Sequence, residues 1–277
     1  MTDAPAAPTR ATRPDRPEIL LADGPAAPTL AARPENLVAD SPAEPTEPTL
    51  LAVAHGTRDR AGIATYHALL DEIRAQRPGL TARLAFLDLA APTPAQVLAD
   101  ACGPVVLVPL LLSTGYHIRV DLPAVRATAP HLDVRMAAPL GPDPLLAAAL
   151  DDKLAEAGWS PTRSGSDAVV LTAAGSTDPA AGADTALMAD LLRTRLGQPV
   201  VPAYLCASTP TPAEAVEALR AAGHRRVAVA RYLMAPGHFA VRAQTAGGCL
   251  TSAPLGAHPA VARLVLKRFD ETAGGTA

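Results

Sequence analysis

Residues 50–76, LLAVAHGTRDRAGIATYHALLDEIRAQ, decide the fold class. LLAVA (50–54) is a short apolar run closed by a polar turn, the pattern of a strand buried on both faces. Beyond the turn, Ile63, Tyr66, Leu69, Leu70 and Ile73 recur at helical spacing, which places them on one face of a helix from about Ile63 to Gln76. A buried strand feeding a one-sided helix is the building unit of a parallel sheet, because a crossover is needed to bring the chain back to the same end.

The alternation continues. Strands are predicted at 82–87, 104–111 and 132–136, and helices at 94–101, 118–128 and 143–156. After the polar break GWSPTRSGSD (158–167) the series restarts with AVVLTAAG (168–175). AHGTRD (54–59) then matches AAGSTD (173–178), and FLDLAAPTPAQVL (86–98) matches YLCASTPTPAEAV (204–216). STGYHIRV (113–120) is laid on MAPGHFAV (234–241), and PLGPDP (139–144) on PLGAHP (254–259). Matching strings in the same order mean an internal duplication. The expected class is α/β, with two similar domains at 48–158 and 166–272, each a parallel sheet of about four strands flanked by helices.

Composition agrees and removes other classes. The 277-residue chain is 49% apolar but only 3% aromatic, so Ala, Val and Leu must build the core. A net charge of −3 without a basic block argues against nucleic acid as a partner. Cys102, Cys206 and Cys249 are scattered and odd in number, which supports neither a disulfide framework nor a zinc or iron–sulfur knuckle. With no secretory signal pattern and no long apolar stretch, a cytoplasmic protein without a membrane partner is expected. Residues 1–47, rich in Pro, Ala, Thr and charge, are expected to form a disordered tail. Within them RPEILLADGPAAPT (16–29) is nearly repeated as RPENLVADSPAEPT (33–46), read as slippage in the coding sequence in preference to a partner-binding motif.

Open parallel sheets bind ligands beyond the carboxyl ends of their strands. There the first half offers His55 after the first strand, Asp88 after the second, and Ser113-Thr114-Gly115-Tyr116-His117 after the third. Two imidazoles and a carboxylate suit Fe(II), Co(II), Ni(II) or Zn(II) and leave coordination positions free. His67, His131, His224 and His258 lack such a setting and read as surface or core residues. Neither a Walker A string nor a G-x-G-x-x-G follows the first strand, so no nucleotide is expected.

The strings LLAVAHGTRD (50–59), FLDLAAPTP (86–94) and above all VVLVPLLLSTGYHIRVDLP (105–123) resemble the sirohydrochlorin chelatases, small class II tetrapyrrole chelatases of sirohaem and cobalamin biosynthesis. The resemblance covers residues 49 to about 270, the second half looking like a diverged copy. It implies two chelatase-like domains and a lyase-type enzyme with no organic cofactor. The divalent metal, Fe2+ first, Co2+ next and Ni2+ after them, enters as substrate for insertion into sirohydrochlorin. His55 and His117 become the catalytic, metal-handling pair, with Asp88 where the family usually carries a glutamate. In the copy, Ala174 replaces His55, Cys206 replaces Asp88, and His238 is matched to His117, which leaves one active centre per chain. A monomer fits that arrangement.

Because sirohydrochlorin is rich in carboxylates, its site calls for cations and helix N-termini. Arg58, Arg119 and His238 are candidate substrate contacts, as is the backbone of Ser113, Thr114 and Gly115 ahead of a helix. Arg60, Arg126, Arg231 and Arg242 lie near the same loops in sequence. A carrier that holds metal or tetrapyrrole without turnover is the alternative. A histidine phosphatase fits poorly, since Ala54 rather than arginine precedes His55.

Overall fold

The computed structural model describes residues 47–162 and 165–274. The expected tail, apart from Glu47, and its repeated string lie outside the described residues.

The first half contains β1 (Thr49–Ala54), α1 (Arg60–Gln76), β2 (Ala82–Phe86), α2 (Pro94–Ala99), β3 (Val105–Pro109), α3 (Leu122–Ala127), β4 (Val134–Met136) and α4 (Pro144–Glu156). The second repeats the series with β5 (Asp167–Ala173), α5 (Pro179–Leu196), β6 (Val200–Tyr204), α6 (Pro212–Ala221), β7 (Arg226–Arg231), α7 (His238–Gln244), β8 (Leu250–Thr251) and α8 (Pro259–Ala273). Both sheets are wholly parallel, in the orders β2-β1-β3-β4 and β6-β5-β7-β8. In each the chain first steps one way from its opening strand and then returns to the other side. The first sheet therefore has its switch point between β1 and β3, where helices diverge and a crevice opens.

The strands are apolar on both faces because both faces are covered. Leu50, Ala52, Val106 and Val108 join the large central core, whereas Leu51, Val53, Val105 and Leu107 pack with Val97, Leu98 and Leu122 on the outer side. The helix starts are written in the sequence. Asp59, Thr93, Asp143, Asp178 and Thr211 each accept a backbone N–H of the first turn, and Thr93 with Gln96 and Thr211 with Glu214 form complete capping boxes.

The two halves share one core by exchanging their last helices. α8 packs on β3 and β4 of the first sheet, and α4 on β7 of the second. The caps follow the exchange. Buried Asp143 accepts the Leu145 N–H at the start of α4 and pairs with Lys267 at 2.8 Å and Arg268 at 3.4 Å, both on α8. His258, at the same place before α8, accepts the Ala260 N–H and lies 3.2 Å from Asp152 of α4. No helix among the described residues is long and apolar enough to cross a membrane.

Candidate functional site

β1 and β3 end side by side, and the loops that leave them carry the two histidines. His55 directly follows β1. His117 opens a π-helical turn, His117–Asp121, that the spacing read as the start of an ordinary helix. The imidazole rings meet edge to face with centroids 4.6 Å apart. Of the residues singled out in the sequence, this is the pair that the structure brings together.

Both rings line a cavity of about 500 Å³ walled by both halves. Its floor and sides are largely apolar, with Leu110, Leu112, Leu233, Met234 and Ala240 among them. Leu89, Tyr116, Val120, Phe239 and Val241 are large apolar side chains left exposed, and Leu89, Tyr116 and Phe239 belong to the cavity lining. Tyr66, Tyr204 and Tyr232 in the wall add no negative charge. Burial pushes the Tyr66 phenol up to about 12 and raises Tyr204; burial, with Asp184 and Asp143 behind it, raises Tyr232 further still.

Asp88 meets His55 through its backbone, the Asp88 N–H donating to the His55 carbonyl at 2.9 Å, while its side chain turns elsewhere. β2 lies on the far side of β1 from β3, and the exposed Asp88 carboxylate accepts the Leu89 N–H at 2.7 Å. Leu89, not Asp88, faces the cavity. Among the described residues no three His, Cys, Asp or Glu side chains gather as a metal cage. The carboxylate that does meet the pair is Asp121, whose Oδ2 lies 2.5 Å from His117 Nδ1. Sequence reasoning passed over it, although the four-residue spacing from His117 to Asp121 was the available signal.

The remaining candidates divide. Ser113, Thr114, Gly115 and His238 line the cavity. The Thr114 N–H, however, already donates to Asp184 Oδ2 at 2.7 Å, which removes it from the donors expected to meet a substrate carboxylate. Arg119 is half exposed and pairs with Asp178 at 3.5 Å. Arg58 is exposed and outside the lining. Arg231 is 8% exposed with its Nε unpartnered, and burial lowers its pKa.

Backbone register corrects one equivalence. Leu110 donates to Val53 and Leu140 to Leu111; in the copy Tyr232 donates to Thr172 and Leu255 to Leu233. Carried forward, this register sets Gly237 on Gly115, so His238 falls at the place of Tyr116 and Phe239 at that of His117. The helix bonds Arg119 N–H to Gly115 and Val241 N–H to Gly237 repeat the match. The first half alone then widens into the π turn, whose bond runs from Leu122 N–H to the His117 carbonyl.

Geometry thus defines a class: a duplicated doubly wound α/β protein with a paired-histidine site at one switch point. The CbiX family profile matches residues 49–157 and again 168–272, and the chain belongs to this family of sirohydrochlorin chelatases, as the resemblance implied. Among solved structures, SirB from Bacillus subtilis with Fe3+ is similar at 24% identity and a TM-score of 0.68, covering 82% of this chain and 96% of that one. A sirohydrochlorin chelatase SirB from Bacillus subtilis subspecies spizizenii, in complex with cobalt, gives 22%, 0.66, 82% and 96%. CbiX described as the terminal enzyme for biosynthesis of siroheme in denitrifying bacteria gives 20%, 0.59, 80% and 98%. No curated protein matches the chain.

Proposed function

We propose that this chain inserts a divalent metal into sirohydrochlorin, with Fe2+ as the leading substrate and Co2+ next, and that His55 and His117 do the work. The observation that carries the proposal is the 4.6 Å imidazole pair at the mouth of an apolar cavity. An exposed apolar rim suits the face of a flat macrocycle whose carboxylates project into water.

Metallation needs two steps that imidazole can serve. Two pyrrole N–H protons must leave as the divalent metal enters, and the metal must leave its ligands for the macrocycle. Imidazole exchanges protons readily near neutrality, its ordinary pKa being about 6.5. Asp121 on Nδ1 directs the lone pair of His117 outward through Nε2. His55 has a weaker neighbour, the Gly56 carbonyl at 3.4 Å. Two imidazoles without a third protein ligand hold a divalent ion loosely, which favours hand-over above storage and counts against the carrier reading. SirB with iron and with cobalt bound supports either metal.

The test is anaerobic incubation of the purified chain with sirohydrochlorin and Fe(II), Co(II) or Ni(II) separately, followed by visible absorbance. Many turnovers per chain are expected, with His55→Ala and His117→Ala folded but inactive. Full activity in either variant refutes the assignment, and a single turnover per chain favours the carrier.

A further inference from the structure

We infer that the second half, which lost its own histidine pair, supplies a brace for His117, and that Asp184 is its principal positioning residue. The inference rests on the proposed role of His117.

The segment from Pro109 to His117 leaves the sheet at Leu110 and must satisfy its backbone groups elsewhere. Two of them are met by side chains of the other half. Tyr232 Oη donates to the Leu112 carbonyl at 2.7 Å, and Asp184 Oδ2 accepts the Thr114 N–H at 2.7 Å. A third contact falls just past the histidine, where Arg119 pairs with Asp178. The His117 loop is therefore held by Asp184 on α5, by Asp178 at the cap of that helix and by Tyr232 just past β7.

The brace runs one way only. Counted from the capping aspartates Asp59 and Asp178, the residue of α1 that corresponds to Asp184 is Thr65, whose hydroxyl donates to Ala61 within its own helix. By strand register the counterpart of Tyr232 is Leu110, an apolar side chain. Where the first half meets the corresponding loop of the second, it does so by close packing: a Cβ on Gly62 would come within 2.6 Å of the Pro236 carbonyl. Of these two corresponding loops, the one that carries His117 is, among the described residues, the one to which the other half offers hydrogen-bonding side chains. A carboxylate accepting a backbone N–H makes a stronger bond than a neutral acceptor, and a reacting group displaced by about an ångström can lose about a hundredfold in rate.

The experiment uses the full chain with Asp184→Ala, Asp184→Asn and Tyr232→Phe. Two readouts are taken: sirohydrochlorin metallation kinetics, and the visible spectrum of Co(II) added alone. Asp184→Ala is expected to keep the wild-type circular dichroism, to lower kcat about tenfold to a hundredfold with little change in KM, and to alter the Co(II) spectrum. Asp184→Asn, which retains an acceptor oxygen for Thr114, is expected to recover most of both. Tyr232→Phe is expected to fall in between, and it decides the matter together with Asp184→Asn if the alanine variant does not fold. Wild-type kcat and Co(II) spectrum in Asp184→Ala, or equal losses in the Asn and Ala variants, overturn the inference. If the wild-type chain fails to metallate, the functional reading falls, while the Co(II) spectra still report whether Asp184 sets the histidine site.

Discussion

His117 Nδ1 lies 2.5 Å from Asp121 Oδ2, one turn further along the same π-helical segment. A carboxylate on one imidazole nitrogen fixes the ring's orientation and favours the tautomer that presents the other nitrogen to a metal. Replacing Asp121 by alanine is expected to weaken Co(II) binding or metallation by about tenfold to a hundredfold. The aspartate is part exposed, so the thermal midpoint should hardly move. Asp121→Asn should fall between, since its amide oxygen can still accept the Nδ1 proton without the charge. Unchanged kinetics in the alanine variant would remove Asp121 from the site.

The turn after β1 gives a paired prediction. Gly56 sits at φ +107°, and a Cβ there would come within 1.7 Å of the Asp88 carbonyl oxygen. Gly175, its copy, sits at +95° with the Cys206 carbonyl oxygen at 1.9 Å. Alanine at either place forces a conformation that side chains resist and pushes apart two loops that exchange a backbone bond. Each substitution should cost more than about 2 kcal/mol in urea unfolding. Only Gly56→Ala should also disturb Co(II) binding, because His55 is its neighbour; equal effects on binding would mean that the histidine loop is not locally set.

Much of this arrangement was readable before the structure. The strands at 82–87 and 104–111 and the helix at 143–156 recur within a few residues of their predicted ends, because buried parallel strands and capped amphipathic helices leave strong periodic traces. The histidine pair was readable as two strand-end residues at one edge. Three things were not. Asp88 was expected to add its carboxylate to them, but its backbone is what meets His55, while the exposed side chain turns to the Leu89 N–H, an orientation that local patterns do not carry. The match of His117 with His238 followed the letters, whereas the hydrogen-bond register sets Gly115 on Gly237 and so His238 on Tyr116. The exchange of α4 and α8 was invisible too, since an amphipathic helix does not state whose sheet it covers.

His258 predicts how stability responds to acid. Its pKa is lowered chiefly by burial, with Lys153 adding to the effect and Asp152 and Glu156 opposing it. The unfolded chain therefore binds this proton more readily than the folded one, so stability is fully present above the ordinary histidine pKa of about 6.5 and declines as pH falls below it. Protonation on Nδ1 would also remove the acceptor that caps α8. Urea midpoints measured from pH 7.5 to 5.5 should fall, with a slope from this group below about 1.4 kcal/mol per pH unit, the value for one whole proton. His258→Asn, which can keep the cap, should flatten the decline; an unchanged slope would assign it to other groups.

The exchanged helices make a last prediction about the duplication itself. α8 buries Val261, Leu264, Val265, Leu266 and Phe269, largely in the core that also covers the inner face of β1 and β3. At about 1.5–3 kcal/mol for each large apolar side chain, its removal forfeits on the order of 10 kcal/mol, as much as a whole domain's net stability. The second half loses α4 in the same way. Residues 47–162 and 165–274 produced separately should therefore lack a cooperative unfolding transition and bind a hydrophobic dye. Produced together, the two pieces should associate one to one, recover the transition and metallate sirohydrochlorin, because the covalent connection between them carries none of the site. A first half that unfolds cooperatively on its own would show that its sheet does not depend on α8.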